Sequence, residues 1–369
     1  MTAQELYSAR LQRIDDAVAC RKPDRVPLMP FARAYPYVRQ GHSMAEAMNS
    51  AALAAEDMKR FVLDFEPDMV ISYTASLAGA GPVMEESGIA YLEWPGHTGG
   101  PLKENGIMQM IEHPTMGEDD YEELAEDPAA FLPGGVIPSP LSQSYGETAA
   151  AFAADMEAQG FPMAFAAATA PAYDVLSMCR GTLDMMMDLY AQDEEVAAAL
   201  EALCPLTIDY AVKQAQQNQG RFVYVPMRNG MEDYLGIDLF EEFYFPTLQK
   251  LTEGLLSHGL TPILYAEGGY NSRLELLSEL PEGVVFHLDS VNMQEAKKTV
   301  GKNHCLSGGF YAYDLVHSDP EHIEMFLKWV LDTVAVDGGY IFDFGDRLDE
   351  AKPENIETMF TVLREYGKY

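Results

Sequence analysis

The chain has 369 residues, of which 48% are hydrophobic, and a formal net charge of −34. This charge disfavours binding to nucleic-acid backbones and to anionic membranes, because both need a basic protein surface. The sequence shows neither a charged leader before an apolar stretch nor an apolar run of spanning length, which predicts a cytoplasmic protein. Its four separated cysteines disfavour a zinc ribbon and an iron–sulfur cluster.

The first part of the chain alternates between helical and strand patterns. Apolar spacing predicts a helix over residues 1–21 and another over residues 43–65, which begins with a capping box. Short apolar runs predict strands at residues 25–30 and 67–73. The first of these strands leads into a loop, and the second ends in polar residues.

Residues 82–135 interrupt the alternation. They are rich in Gly, Pro, Asp and Glu, and they contain the run Trp94-Pro-Gly-His97. A long irregular stretch in a compact domain is more often a lid or a binding loop than disorder. We therefore predict an insertion over one end of the fold, with a short acidic helix at about residues 119–126.

Regular alternation returns after the insertion. Apolar strands alternate with amphipathic helices, which indicates a parallel sheet buried on both faces and hence an α/β fold. Helices are predicted over residues 145–159, from Leu183 onward and over residues 239–258. The predicted strands begin at Phe161, Phe222, Thr261, Val284, Cys305 and Gly339.

Five polar residues lie at or just after the ends of the last strands. They are Glu267, His287, Asp289, Asp343 and Asp346. In parallel α/β barrels, functional groups collect where strands pass into loops at their C-terminal ends. We therefore predict a site there, although capping a helix or fixing a loop is the structural alternative for each residue.

Several motifs follow one another along most of the chain. They are Asp24-Arg-Val-Pro27, Arg180-Gly181, Phe240 to Pro246, Leu251 to Gly269, His287 to Lys298, Gly308-Gly309 and Pro353-Glu-Asn-Ile356. Their order and spacing resemble the uroporphyrinogen decarboxylase superfamily, including its corrinoid-dependent methyltransferase branch. The resemblance implies one (β/α)8 barrel domain over residues 1–369, as a monomer or a homodimer.

The two branches of the superfamily differ in their chemistry. Porphyrin decarboxylases carry an arginine-rich N-terminal loop, and the matching loop here holds only Arg33 and then Arg39. That is too few cations for a substrate with eight carboxylates. The methyltransferase branch has zinc ligands in an H-x-C run and a later Cys, and these positions match Tyr265, Glu267 and Asp346.

The loss of every soft ligand leaves two alternatives for Glu267. In one, Glu267 and Asp346, with Asp343 or His287, bind zinc through oxygen and nitrogen atoms, and the metal polarises an ether oxygen. In the other, no metal is bound, and Glu267 is a general acid whose pKa is raised by burial. We predict Glu267, His287 and Asp289 as catalytic residues, and Glu267, Asp343 and Asp346 as metal ligands.

The run at Trp94–His97 and the acidic segment at residues 118–123 resemble members of the branch that demethylate methoxylated aromatic compounds. The predicted function is therefore transfer of a methyl group from such a donor to cobalamin held by a separate corrinoid protein. The rival predictions are a cofactor-free decarboxylase or lyase of a small carboxylate and a non-catalytic binding protein. The predicted substrate-binding residues are Tyr73, His97, Tyr173, Met178, Tyr224, Met227, Arg228, Asn229 and Tyr311.

Overall fold

The computed structural model describes residues 1–132, 136, 143–343 and 350–369. The chain divides into two compact units. Unit 1 comprises Met1–Ile111, Pro140–Ala164 and Ser307–Tyr369, and unit 2 comprises Glu112–Ser139 and Phe165–Leu306.

Helices and strands alternate along the described residues. The α-helices are α1 (Ala3–Val18), α2 (Tyr35–Arg39), α3 (Met44–Met48), α4 (Ala51–Phe65), α5 (Gly81–Ser87), α6 (Tyr121–Glu126), α7 (Gln143–Ala158), α8 (Ala172–Arg180), α9 (Thr182–Ala191), α10 (Asp193–Gln217), α11 (Ile237–Leu239), α12 (Phe245–Ser257), α13 (Leu274–Leu277), α14 (Met293–Lys298), α15 (Ala312–His317), α16 (Pro320–Thr333) and α17 (Pro353–Glu365). The strands are β1 (Leu92–Glu93), β2 (Gln109–Met110), β3 (Ala167–Ala168), β4 (Phe222–Met227), β5 (Thr261–Ala266), β6 (Val285–Leu288), β7 (Cys305–Gly308) and β8 (Tyr340–Ile341).

The two N-terminal strands predicted in unit 1 pair at single positions. Leu28 forms a parallel bridge with Phe342, and Val70 forms a parallel bridge with Met163. The predicted positions of both strands are therefore right, while their regular pairing is shorter than predicted. After Val70 the chain turns into a 3-10 helix at Tyr73–Ser76.

The single helix predicted over residues 43–65 is wrong, because the chain forms α3 and α4 with a break between them. Ser43 and Glu46 make the predicted capping box at the start of α3. A second cap then intervenes: Ser50 has an extended backbone, and its side chain accepts the N–H of Leu53. A serine hydroxyl that competes for backbone donors favours a new helix start over a continued helix.

The stretch predicted as an insertion contains the antiparallel pair β1 and β2, in which Leu92 lies opposite Met110. The predicted acidic helix is present as α6, and the side chain of Tyr121 on it is buried in unit 2. Residues 133–135, at the end of the predicted stretch, lie outside the described residues. The role of a lid stays a prediction.

The parallel sheet has the strand order β3-β4-β5-β6-β7-β8, so each strand pairs with the next one along the chain. The pairs β3–β4, β4–β5 and β5–β6 are parallel, and every residue of β5 is buried. Continuous burial is typical of strands covered on both faces. The predicted parallel α/β sheet is therefore confirmed, although the strand predicted from Phe161 is regular only at β3.

Sequence patterns do not predict helix α8. Eight of its nine residues are buried, and nine residues are fewer than the window over which an apolar period can be recognised. Another feature without a sequence signal is the π-helical turn Phe240–Tyr244, which lies between α11 and α12. Among the described residues, no helix is long and apolar enough to cross a membrane.

Candidate functional site

Strands β4 and β5 of unit 2 bring Arg228 and Glu267 together. Met227 lies opposite Ala266 at the end of the ladder, so the next residue of each strand leaves the sheet beside the other. The Nε atom of Arg228 lies 3.5 Å from Oε2 of Glu267, and their side chains are 42% and 40% exposed. An ion pair this exposed contributes only about 0–1 kcal/mol to folding. Its interest lies in the charges that it presents at the strand ends.

The turn after β5 fixes the backbone next to Glu267. Gly268 has a φ of +88°, a backbone conformation that residues other than glycine adopt only at a cost in energy. Its N–H lies 3.3 Å from Oδ2 of Asp289, and its carbonyl accepts the N–H of Ser290 at 3.3 Å. Asp289 therefore contacts this turn, which agrees with the structural alternative for that residue. Its predicted catalytic role stays a prediction.

A buried carboxylate lies beneath the loop that carries Arg228. Oδ1 of Asp174, on α8, accepts the backbone N–H groups of Arg228 and Asn229, both at 2.9 Å. Its Oδ2 accepts the hydroxyl of Tyr244 at 2.6 Å. Desolvation by burial raises the pKa of Asp174 to about 6, and the bonds from Tyr244 and from the two amides oppose the shift.

Two further buried side chains hold the same loop from its other side. The hydroxyl of Tyr270 donates to the carbonyl of Met227 at 2.6 Å. Arg273, which is 2% exposed, donates from Nε to the carbonyl of Gly230 at 3.2 Å. Burial raises the pKa of Tyr270 well above its ordinary value, so its hydroxyl keeps its proton at neutral pH. The loop is therefore tied at both of its ends.

A row of rings runs across unit 2 from the start of the sheet to β6. Its centroid separations are 4.9 Å from Phe165 to Tyr224, 6.0 Å from Tyr224 to Tyr265 and 4.8 Å from Tyr265 to His287. Tyr265 lies directly opposite His287 in the ladder. Tyr265 and His287 are buried, whereas Phe165 and Tyr224 are partly exposed. Such rings offer flat surfaces against which a planar aromatic ligand can pack.

The predicted zinc ligands do not form a ligand set among the described residues. Glu267 lies beside Arg228, whose positive charge would repel a metal ion. In unit 1, Asp343 is 2% exposed and accepts the N–H of Phe31 at 2.8 Å. Asp346 lies outside the described residues.

Zinc sites in proteins use at least three side-chain ligands. In the described part of the chain, no group of three or more His, Cys, Asp or Glu side chains could hold a metal ion. The described residues therefore do not fit a zinc site. Zinc stays a prediction, and no step of the function proposed below involves zinc.

The predicted substrate-binding residues of unit 2 have different environments. Asn229 donates from Nδ2 to Oγ of Ser177 at 2.7 Å, beside the Arg228 loop. Tyr173 is buried on α8, with its ring 5.3 Å from that of Tyr244. Met178, also on α8, is partly exposed, and Met227 is fully buried at the end of β4.

Three predicted substrate-binding residues belong to unit 1. Tyr73 is fully buried, and burial raises its pKa to about 12. His97 stacks on Trp94 with the ring centroids 4.2 Å apart, and its Nδ1 lies 2.8 Å from Oε1 of Glu93. Tyr311 is 42% exposed. Their roles in binding a substrate stay predictions.

Four residues of this site were missed as site residues by reasoning from the sequence: Asp174, Tyr244, Tyr265 and Tyr270. Asp174 lies in the first turn of α8, after Pro171, so an acidic residue close behind a strand and a proline was an available signal. The two tyrosines Tyr244 and Tyr270 had no comparable signal, because only the fold brings their hydroxyls to the loop.

The chain is similar to known proteins in sequence and in fold. Residues 149–366 match the family model described as uroporphyrinogen decarboxylase. No curated protein sequence matches the chain. A solved structure of a methyltransferase from Methanosarcina mazei is similar, with a TM-score of 0.70 and 15% sequence identity over 99% of each chain. Together with the alternating parallel strands and helices, these likenesses confirm the predicted fold class, α/β of the (β/α)8 type.

Proposed function

The chain belongs to the uroporphyrinogen decarboxylase family, and on that premise we propose that it is a methyltransferase acting on a methoxylated aromatic compound. The methyl acceptor is the reduced cobalamin of a separate corrinoid protein. The observation that carries the proposal is the pairing of Arg228 with Glu267 at the strand ends, two residues beyond the Tyr265 ring. The fold shared with a methyltransferase over 99% of the chain supports it.

Demethylation of an aryl ether needs help at its oxygen. When the bond between the methyl carbon and the oxygen breaks, the bonding electron pair stays on the oxygen and gives a phenolate. A guanidinium is charged at every working pH and donates strong hydrogen bonds to an anionic oxygen. Arg228 provides that group at the strand ends, and the rings of Tyr224 and Tyr265 provide a surface for the aromatic ring.

The general-acid alternative for Glu267 assumed a buried carboxyl group. The side chain of Glu267 is instead 40% exposed and lies beside Arg228. The burial that the general-acid alternative requires is therefore absent. In the proposed function, Glu267 therefore orients Arg228, and the departing oxygen receives its hydrogen bond from the guanidinium.

The proposal is tested under anaerobic conditions with reduced cobalamin and a panel of methoxylated aromatic compounds. Methylated corrinoid is followed by its absorption spectrum, and the phenol product is followed by chromatography. We expect turnover of at least one donor, and a loss of about a hundredfold in kcat/KM for Arg228→Met. Arg60→Met, on the exposed surface of α4, is the matched control and should leave turnover unchanged.

The main rival function is decarboxylation of a small carboxylate, because the partly exposed Arg228 could also bind an acid. Release of carbon dioxide without any corrinoid, and no methylated corrinoid from the whole panel, would replace the proposed function with this one. Tight binding of a donor or of a corrinoid protein without any turnover would instead indicate that the chain is a non-catalytic binding protein.

A further inference from the structure

We propose that Asp174 is a positioning residue that fixes Arg228 where its guanidinium meets the aryl oxygen of the methyl donor. This inference rests on the proposed function of the same site. It adds a residue that does not itself contact the substrate and acts through the backbone of Arg228. Tyr244 is the second member of the arrangement, because its hydroxyl binds the same carboxylate.

The carboxylate of Asp174 fixes the direction of the loop that carries Arg228. A single oxygen of Asp174 accepts the N–H groups of two successive residues, Arg228 and Asn229, at equal distances of 2.9 Å. Two adjacent peptide planes must therefore turn toward one point, which sets the direction in which the Arg228 side chain leaves the backbone. Asp174 is itself 4% exposed and lies on a helix, so the point does not move.

Two tyrosines support the same loop on its other side. Tyr270 holds the carbonyl of Met227, and Tyr244 and Tyr270 interact through their hydroxyls. Gly230 leaves no space for movement toward them, because a Cβ atom there would lie 2.7 Å from the Tyr270 hydroxyl oxygen. The backbone from Met227 to Gly230 is therefore held on both sides, and Arg228 projects from its middle.

A rigidly held Arg228 would stabilise the charge that develops on the aryl oxygen during methyl transfer. The methyl carbon loses its bond to oxygen and gains a bond to the cobalt of the reduced corrinoid, which supplies the electron pair for the new bond. The pair of the broken bond stays on the aryl oxygen, and water protonates the phenolate after release. A cation that is already in place at that oxygen stabilises the new charge without reorganisation.

A direct test uses 4-nitrophenol, whose ionised and neutral forms differ in absorption, as a probe that needs no corrinoid. We expect the wild-type protein to bind the ionised form about tenfold more tightly than the neutral form, because charge-assisted hydrogen bonds favour the anion. Arg228→Met and Asp174→Ala should both remove the preference. Asp174→Asn should keep it, because the amide oxygen can still accept both N–H groups.

Tyr244→Phe is a second, milder variant for use if Asp174→Ala does not fold, as judged by circular dichroism. It should lower the preference severalfold without removing it. An unchanged preference in Tyr244→Phe, or in a folded Asp174→Ala, would overturn the inference, and so would its loss in Asp174→Asn with the fold intact. Methyl transfer without any anion preference would also overturn it while leaving the proposed function. An anion preference that depends on Asp174, without methyl transfer to any corrinoid, would overturn the proposed function alone.

Discussion

Arg25 and Asp68 form a two-point ion pair inside unit 1, with Nη1 of Arg25 2.7 Å from Oδ2 and Nη2 2.8 Å from Oδ1 of Asp68. Asp68 is fully buried, accepts the N–H of Leu28 at 2.8 Å and also pairs with Arg13. The motif that contains Arg25 contributed to the family resemblance. Its arginine holds the first strand position to the second, so this motif serves the fold.

Replacing Asp68 by Ala should therefore destabilise the protein strongly. The change leaves two arginines without their buried partner, which typically costs about 3–5 kcal/mol of the free energy of unfolding. Urea denaturation measures the loss. Asp24→Ala is the control, because Asp24 also pairs with Arg13 but its side chain is 68% exposed, and it should cost less than about 1 kcal/mol. Equal losses in the two variants would contradict this prediction.

Asp174 should make stability fall as the pH rises. Burial raises its pKa from 3.8 to about 6, so the folded protein holds this proton more tightly than the unfolded chain does. Its stabilising contribution is full below the unfolded pKa and is lost as the pH rises through about 6. The stability of the wild type relative to Asp174→Asn should therefore fall by about 1–2 kcal/mol between about pH 5 and about pH 7.5. Urea denaturation at the two pH values tests this, and a relative stability that rises with pH would contradict it.

His304 should have the opposite effect on stability. It is 1% exposed and lies edge-on to Phe286 at 5.2 Å, and burial lowers its pKa below 6.5. Its protonation therefore favours the unfolded chain, and stability is lost as the pH falls through 6.5. His304→Gln should remove that part of the loss, whereas His113→Gln, at an exposed position, should not. Urea midpoints at about pH 5.5 and about pH 7.5 give the comparison.

Metal content separates the two roles of Glu267. If this residue binds zinc, anaerobically purified protein should hold about one zinc per chain and Glu267→Ala should lose it. If it orients Arg228, zinc content should be the same in both proteins. We expect the second result because the described partner of Glu267 is a cation. Elemental analysis of the two proteins decides, and zinc lost only in the variant would restore the metal-bound model.

The ring row should contribute to binding of the donor. Tyr265→Leu removes the ring between Tyr224 and His287, and we expect about tenfold weaker binding of 2-methoxyphenol. Tyr265→Phe keeps the ring and should stay within about threefold of the wild type. Titration calorimetry measures both affinities. Tyr190→Leu is the control, because its side chain is 79% exposed. An equal loss of affinity in that variant would contradict a role of the ring row in binding the donor.

The fold could be predicted because its signals are local. Parallel strands give continuous apolar runs, and β5 has such a run that is buried throughout. Capping residues also act over three or four positions, which is why the start of α3 was predicted correctly. Helix α8 was not predicted, because its nine residues are fewer than the window over which an apolar period can be recognised.

The site was predictable only in part. Position at a strand end indicated Glu267 and Arg228, and the structure brings these two together. The residues that hold them do not carry such a mark, since Asp174 and Tyr244 are 70 positions apart and meet only in the folded chain. The burial of Glu267 that the general-acid alternative assumed was wrong, because residues just beyond a strand leave the covered part of the sheet.

The π-helical turn Phe240–Tyr244 makes the site sensitive to deletion of a single codon. Such a turn holds one residue more than an α-helical turn would, so an in-frame deletion of one codon there could restore a regular helix. That repair would leave the flanking helices in phase, because the wider turn absorbs the extra residue, but it would redirect the side chains within the turn itself. The Tyr244 hydroxyl would leave Asp174, although every other residue of the site would still be encoded. Deletion of one codon would therefore give a chain with a more regular helix but without the hydrogen bond between Tyr244 and Asp174.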